Sequence, residues 1–144
     1  MDYKFIKILQ SEEHVEILFT LLSQRKFNIS HIEMPSKAEH KEFVFSKPYK
    51  FWFLVKCEKS YIGTFYIQDN NSISINIKEK FYVDGIPKIL SFIKSNFIPN
   101  KPIKSLIPKY FYINTPSGDI KLHKVLSNIG YKHNQISYII NWNP

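Results

Sequence analysis

Apolar positions alternate with polar ones in some stretches of this chain and recur every three to four residues in others. FIKIL (5–9) alternates and predicts a short strand. After Ser11 the period changes. Val15, Leu18 and Leu22 fall on one helical face with Ile17 and Leu21 beside them, and Glu12 and Glu13 suit a first turn capped by Ser11. Ser36 and Glu39 have the spacing of a capping box, which predicts a second helix from Ser36 that ends before Pro48. Three strand-like runs follow, YKFWFLVKC, SYIGTFYIQ and SISINIKEKF, separated by EKS and DNN as in antiparallel hairpins. GIPKILSFIKSNF returns to helical spacing and is stopped by Pro99 and Pro102. SLIPKYFYIN is strand-like, with Pro108 suited to an edge or irregular position. GDIKLHKVLSNIG predicts a helix opened by Asp119 and closed by Gly130, and YKHNQISYIINW predicts a final strand. The predicted order is β-α-α-β-β-β-α-β-α-β.

Composition adds limits. A chain of 144 residues with 44% hydrophobic and 16% aromatic residues suits one domain, residues 1–144, with a real core. No apolar run approaches the roughly 20 residues of a membrane span, and MDYKFIKILQSEE lacks a signal-peptide layout, so a cytoplasmic location is expected. Cys57 is the one cysteine and sits in a strand-like run, as a buried inert thiol would. The formal charge of +8 favours anionic partners. Yet Arg25 is the only arginine and the lysines are scattered, which argues for a solvated lysine surface over a nucleic-acid footprint.

Metal and nucleotide motifs are absent from the sequence. His14, His31, His40, His123 and His133 have no zinc-site spacing, so no metal is expected, and there is no Walker motif or GxGxxG. KPYKFWF (47–53) can stack a base or sugar, but in a strand half of it faces the core.

The element order, together with HIEMPSKAEHKEFV, SISINI, YVDGIP and the helix ending NIGY, resembles the GNAT family of N-acetyltransferases, in a divergent bacterial-type form. That resemblance implies an α/β fold with a central, mostly antiparallel sheet of six to seven strands and about four helices on both faces. It implies acetyl-CoA, or another acyl-CoA, as co-substrate, and direct transfer to a small amine or amino sugar in a ternary complex. It places a pantetheine-binding edge at Ile75, Asn76 and Ile77, and a pyrophosphate cradle at Val83, Asp84, Gly85, Ile86 and Lys88, with Asp119 where the family often has Asn. Of the family's cofactor turn only Gly85 matches; Tyr82 and Pro87 depart from it. Ser72 stands where members often carry a basic Glu, and Leu126 where they often carry an acidic Tyr. Glu79 and His40 are the remaining candidates for the proton acceptor. A catalytically silent module of this fold and a basic nucleic-acid-binding domain are the alternatives. The acceptor is not legible, and neither is the oligomeric state, a dimer included.

Overall fold

The computed structural model describes residues 1–26 and 33–142; His31 lies outside them. Five strands form one sheet in the order β1-β2-β3-β4-β5: β1 (Tyr3–Lys7), β2 (Phe51–Cys57), β3 (Ser60–Ile67), β4 (Ser72–Ile77) and β5 (Tyr112–Ile113). The first four are antiparallel neighbours, and β5 joins β4 in parallel. Helices α1 (Glu12–Ser23) and α2 (Lys37–Phe45) cover one face, where Val15, Leu18 and Val44 pack with Leu54. Helices α3 (Tyr82–Asn96) and α4 (Ile120–Ile129) cover the other, with Ile86, Ile89, Ile93 and Leu122 against Phe65 and Ile75. Alternation along β2 to β4 sorts side chains between the two layers, as a sheet buried on both faces requires.

The predicted caps are present. Ser11 accepts from the N–H of His14, Ser36 and Glu39 form a reciprocal capping box, Asp119 accepts from the N–H of Leu122, and Gly130 closes α4 at φ 110°. The sheet has five strands among the described residues, fewer than the six to seven expected. SLIPKYFYIN contributes only Tyr112 and Ile113, because Pro108 has no N–H to donate and its carbonyl is taken by the Asn71 side chain. The final strand over 131–142 is absent: Tyr138, Ile139 and Trp142 are exposed. A two-residue β5 leaves a further strand almost no ladder to pair with.

EKFYVDGIPKIL holds no strand-to-helix turn at Gly85. The strand ends at Ile77, a 3-10 turn spans Glu79–Phe81, and α3 begins directly at Tyr82. Gly85 is therefore inside a helix, not at a turn. Its missing Cβ leaves room for Ile77 and Tyr3, whose nearest atoms lie 3.0 and 3.4 Å from where a Cβ would stand. Pro87 cannot bond back to Val83, but Val83 is 78% exposed, so water can serve that carbonyl.

Candidate functional site

The sheet parts between β4 and β5. The Tyr112 N–H donates to the Asn71 carbonyl and the Asn114 N–H to that of Ile73, after which the two strands diverge. Backbone groups of alternate strand residues point to the same neighbour. Ile75 and Ile77 continue the series of Asn71 and Ile73, so their N–H and C=O groups face the opening where β5 has ended. Asn76 belongs to the other series and pairs with Thr64 of β3, though it too borders the space. Of the three predicted edge residues, Ile75 and Ile77 thus turn backbone groups toward the opening, and Asp119 and Tyr82 border the same cavity.

Beside this opening lies a cavity of about 160 Å³. Arg25 and Lys26, just beyond α1, border it on one side. Lys78, Glu79 and Tyr82 border it where β4 runs into α3, and Asp119 and Leu122 at the start of α4. Gly63 lets β3 and β4 approach closely here, since a Cβ would fall 2.1 Å from the Asn76 carbonyl oxygen.

Glu79 lines the cavity and bridges two elements, 3.0 Å from the Lys121 ammonium of α4 and 3.6 Å from that of Lys26. The hydrogen bond from Lys121, with the charge of both lysines, lowers its pKa below the usual carboxylate range. His40 is not among the cavity residues. It is buried on α2, its ring edge-on to Phe19 of α1 at 5.5 Å, so the two predicted acid–base candidates do not meet in the cavity.

Asp119 is buried, and both its oxygens are engaged: one takes the N–H of Leu122 at 3.2 Å and the other the Tyr82 hydroxyl at 2.7 Å. Burial, then the bond to Asp119, raises the Tyr82 pKa above the ordinary phenol value. Tyr82 borders the cavity, a position to which the sequence assigns no role. Its only signal was that it departs from the cofactor turn of the family the sequence resembles.

The five predicted cradle residues separate along α3. The Gly85, Ile86 and Lys88 N–H groups fall within the regular helical ladder, while Val83 and Asp84 lie in the first turn of α3, directly after the 3-10 turn Glu79–Phe81. The Lys88 ammonium is drawn to Asp84 at 3.6 Å, to the Met1 carbonyl at 3.1 Å and over the Tyr3 ring. Ser72 is buried in β4, and Leu126 is half-buried against the core. Among the described residues no group of three or more His, Cys, Asp or Glu side chains could hold a metal ion, and no helix is long and apolar enough to cross a membrane.

No family model matches the sequence, and no curated protein matches it. Solved structures do match its fold. One is AAC(6')-Iy in complex with the bisubstrate analogue CoA-S-monomethyl-acetylneamine, at a TM-score of 0.62 and 11% identity over 100% of both chains. A second is SA2161 of meticillin-resistant Staphylococcus aureus, described as a probable acetyltransferase, at 0.52 and 11%, covering 97% of this chain and 100% of that one. A third is the aminoglycoside acetyltransferase meta-AAC0020 from an uncultured soil metagenomic sample, in complex with sisomicin, at 0.56 and 10%, covering 99% and 97%.

Proposed function

We propose that this chain, which has the GNAT acetyltransferase fold, is an acyl-CoA-dependent N-acyltransferase acting on a small amine or amino sugar. The observation that carries the reading is the parting of β4 from β5, which turns the backbone groups of Ile75 and Ile77 toward a cavity in the middle of the sheet. The residues present fit acetyl-CoA in two places. Ile75 and Ile77 can pair with the amide-bearing arm, as a missing strand would. Val83 and Asp84 lie in the first turn of α3, at the positive end of its dipole, which suits a pyrophosphate. Lys88 neutralises the Asp84 carboxylate by ion pairing, which lessens its repulsion of the phosphates. Acetyl-CoA supplies an acyl group as a thioester, and the acceptor's amine displaces the thiolate from it directly.

The protein's share of catalysis is chiefly positioning, with backbone donors directed at the carbonyl. Glu79 is the carboxylate placed to receive the amine's proton. Its lowered pKa keeps it ionised at neutral pH but makes it a weak base, so it acts best through a water that it orders. The buried Tyr82 hydroxyl is held by Asp119 and keeps its proton.

A melting experiment tests the reading. A ligand that binds only the folded state at 100 times its dissociation constant adds about 2.7 kcal/mol, so acetyl-CoA should raise the melting temperature. Val83→Glu is a selective control. Val83 is exposed in the first turn of α3, where an acidic side chain favours the helix. The variant should melt no lower than the unmodified protein, yet lose the shift. CoA release in the presence of amines then reports turnover. No shift at millimolar acetyl-CoA would end the reading. A shift without turnover on any amine would favour a binding module of the same fold.

A further inference from the structure

The only arginine in the chain, Arg25, lines the cavity in a half-buried position just past the end of α1. Burial is the main influence on its pKa and lowers it, while Tyr66 and Tyr49 lie near enough to favour the charged form. Those two rings are themselves stacked, with centroids 3.6 Å apart and planes 6° from parallel. Among the described residues no carboxylate forms an ion pair with the Arg25 guanidinium. A half-buried cation without a counter-ion is costly, and guanidinium is the side chain best shaped to grip a phosphate or carboxylate with two parallel bonds.

The rest of the cavity agrees. Lys26 and Lys78 add positive charge. The two carboxylates that line it are already engaged, Glu79 by Lys121 and Lys26, Asp119 by Tyr82 and Leu122. A polycationic acceptor would therefore meet like charge and no uncommitted carboxylate. Arg25 follows α1, which covers one face of the sheet, whereas Val83 and Asp84, the proposed pyrophosphate site, open α3, which covers the other. Residues from both sides line the cavity, Leu21 and Arg25 from one and Tyr82 and Leu122 from the other.

We propose that the Arg25 side of this cavity is an anion subsite, and that the acceptor is an amine which also carries a phosphate or carboxylate group. The word acceptor rests on the acyltransferase reading; the anion subsite does not. The test is calorimetry with three probes that share one amino sugar: glucosamine, glucosamine 6-phosphate and muramic acid, each with and without CoA, and with sisomicin as the polycation. A charge-assisted, bidentate contact is worth about 10- to 100-fold in affinity. One or both anionic probes should bind tighter than glucosamine by that factor, and which one does so separates phosphate from carboxylate. Arg25→Gln should abolish the difference and leave the melting shift by acetyl-CoA unchanged, and Arg25→Lys should keep part of it. Equal binding of all three sugars, or tightest binding of sisomicin, overturns the proposal. So does an Arg25→Gln variant that loses the acetyl-CoA shift but keeps the anion preference, because Arg25 would then serve the co-substrate. If acetyl-CoA gives no shift with the unmodified protein, the acyltransferase reading fails, and calorimetry alone still decides the subsite.

Discussion

The Tyr82 hydroxyl donates to Oδ2 of Asp119 across 2.7 Å, and that single buried contact ties the first residue of α3 to the N-cap of α4. Tyr82→Phe removes the donor and leaves a buried carboxylate oxygen without its partner. The expected loss is about 1 to 3 kcal/mol of stability, read from urea denaturation. Asp119→Ala should cost more, since it removes the helix cap as well, typically about 1 kcal/mol. In the double variant the two effects should fall short of their sum. Strict additivity would mean that the contact carries no coupling.

Two glycines near the cavity should respond in opposite ways. A Cβ on Gly63 would meet backbone, the Asn76 carbonyl oxygen at 2.1 Å and the Cα of Ile77 at 2.5 Å. Gly63→Ala should therefore force β3 and β4 apart and destabilise by about 3 kcal/mol or more, at or beyond the usual range for overpacking. A Cβ on Gly85 would meet only the side-chain atoms of Ile77 and Tyr3, and alanine is the better helix former by roughly 1 kcal/mol. Gly85→Ala should change stability by no more than about 1 kcal/mol, because the gain and the crowding oppose each other. Denaturant midpoints of the two variants check the contrast.

Lys121 and Lys26 hold Glu79 below its ordinary pKa. Because the folded value is the lower one, these ion pairs add stability above the unfolded value, and the contribution fades as pH falls through the folded one. Lys121→Ala removes the nearest cation and should move the Glu79 titration up, toward the ordinary carboxylate value. Side-chain carboxyl NMR against pH measures this directly. An unmoved titration would show that Lys121 does not set the Glu79 charge.

The C-terminal residues should be dispensable for core stability. Tyr131 is still anchored by its N–H to the Leu126 carbonyl, and Asn134 reaches the Tyr110 hydroxyl. Beyond them Ile136, Tyr138, Ile139, Ile140 and Trp142 are all exposed. Ending the chain after Asn134 should leave the denaturation midpoint within about 0.5 kcal/mol of the full chain, the range of surface changes. A large loss would mean that these side chains find an apolar partner in solution.

What the sequence by itself determined is local. Ser11, the Ser36–Glu39 box, Asp119 and Gly130 mark helix ends because a cap acts within a few residues of its own position. The alternation in 51–77 specifies strands with two buried faces, and EKS and DNN reverse the chain between them. An edge at Ile75–Ile77 was suggested only through the resemblance that the element order carried, not by any local pattern. Gly85 and Pro87 misplaced the start of α3, because both residue types usually punctuate turns. Here the glycine is a packing device against Ile77 and Tyr3, and nothing local to VDGIP reveals those neighbours. The final strand fails for the opposite reason: 131–142 has the strand pattern, but a strand needs a ladder beside it, and β5 is only two residues long. Tertiary structure alone brought Tyr82 to Asp119, Glu79 to Lys121, and Arg25 to the same cavity. These groups lie tens of residues apart in the chain, and they meet only after the sheet has buried both of its faces and set its helices around the gap.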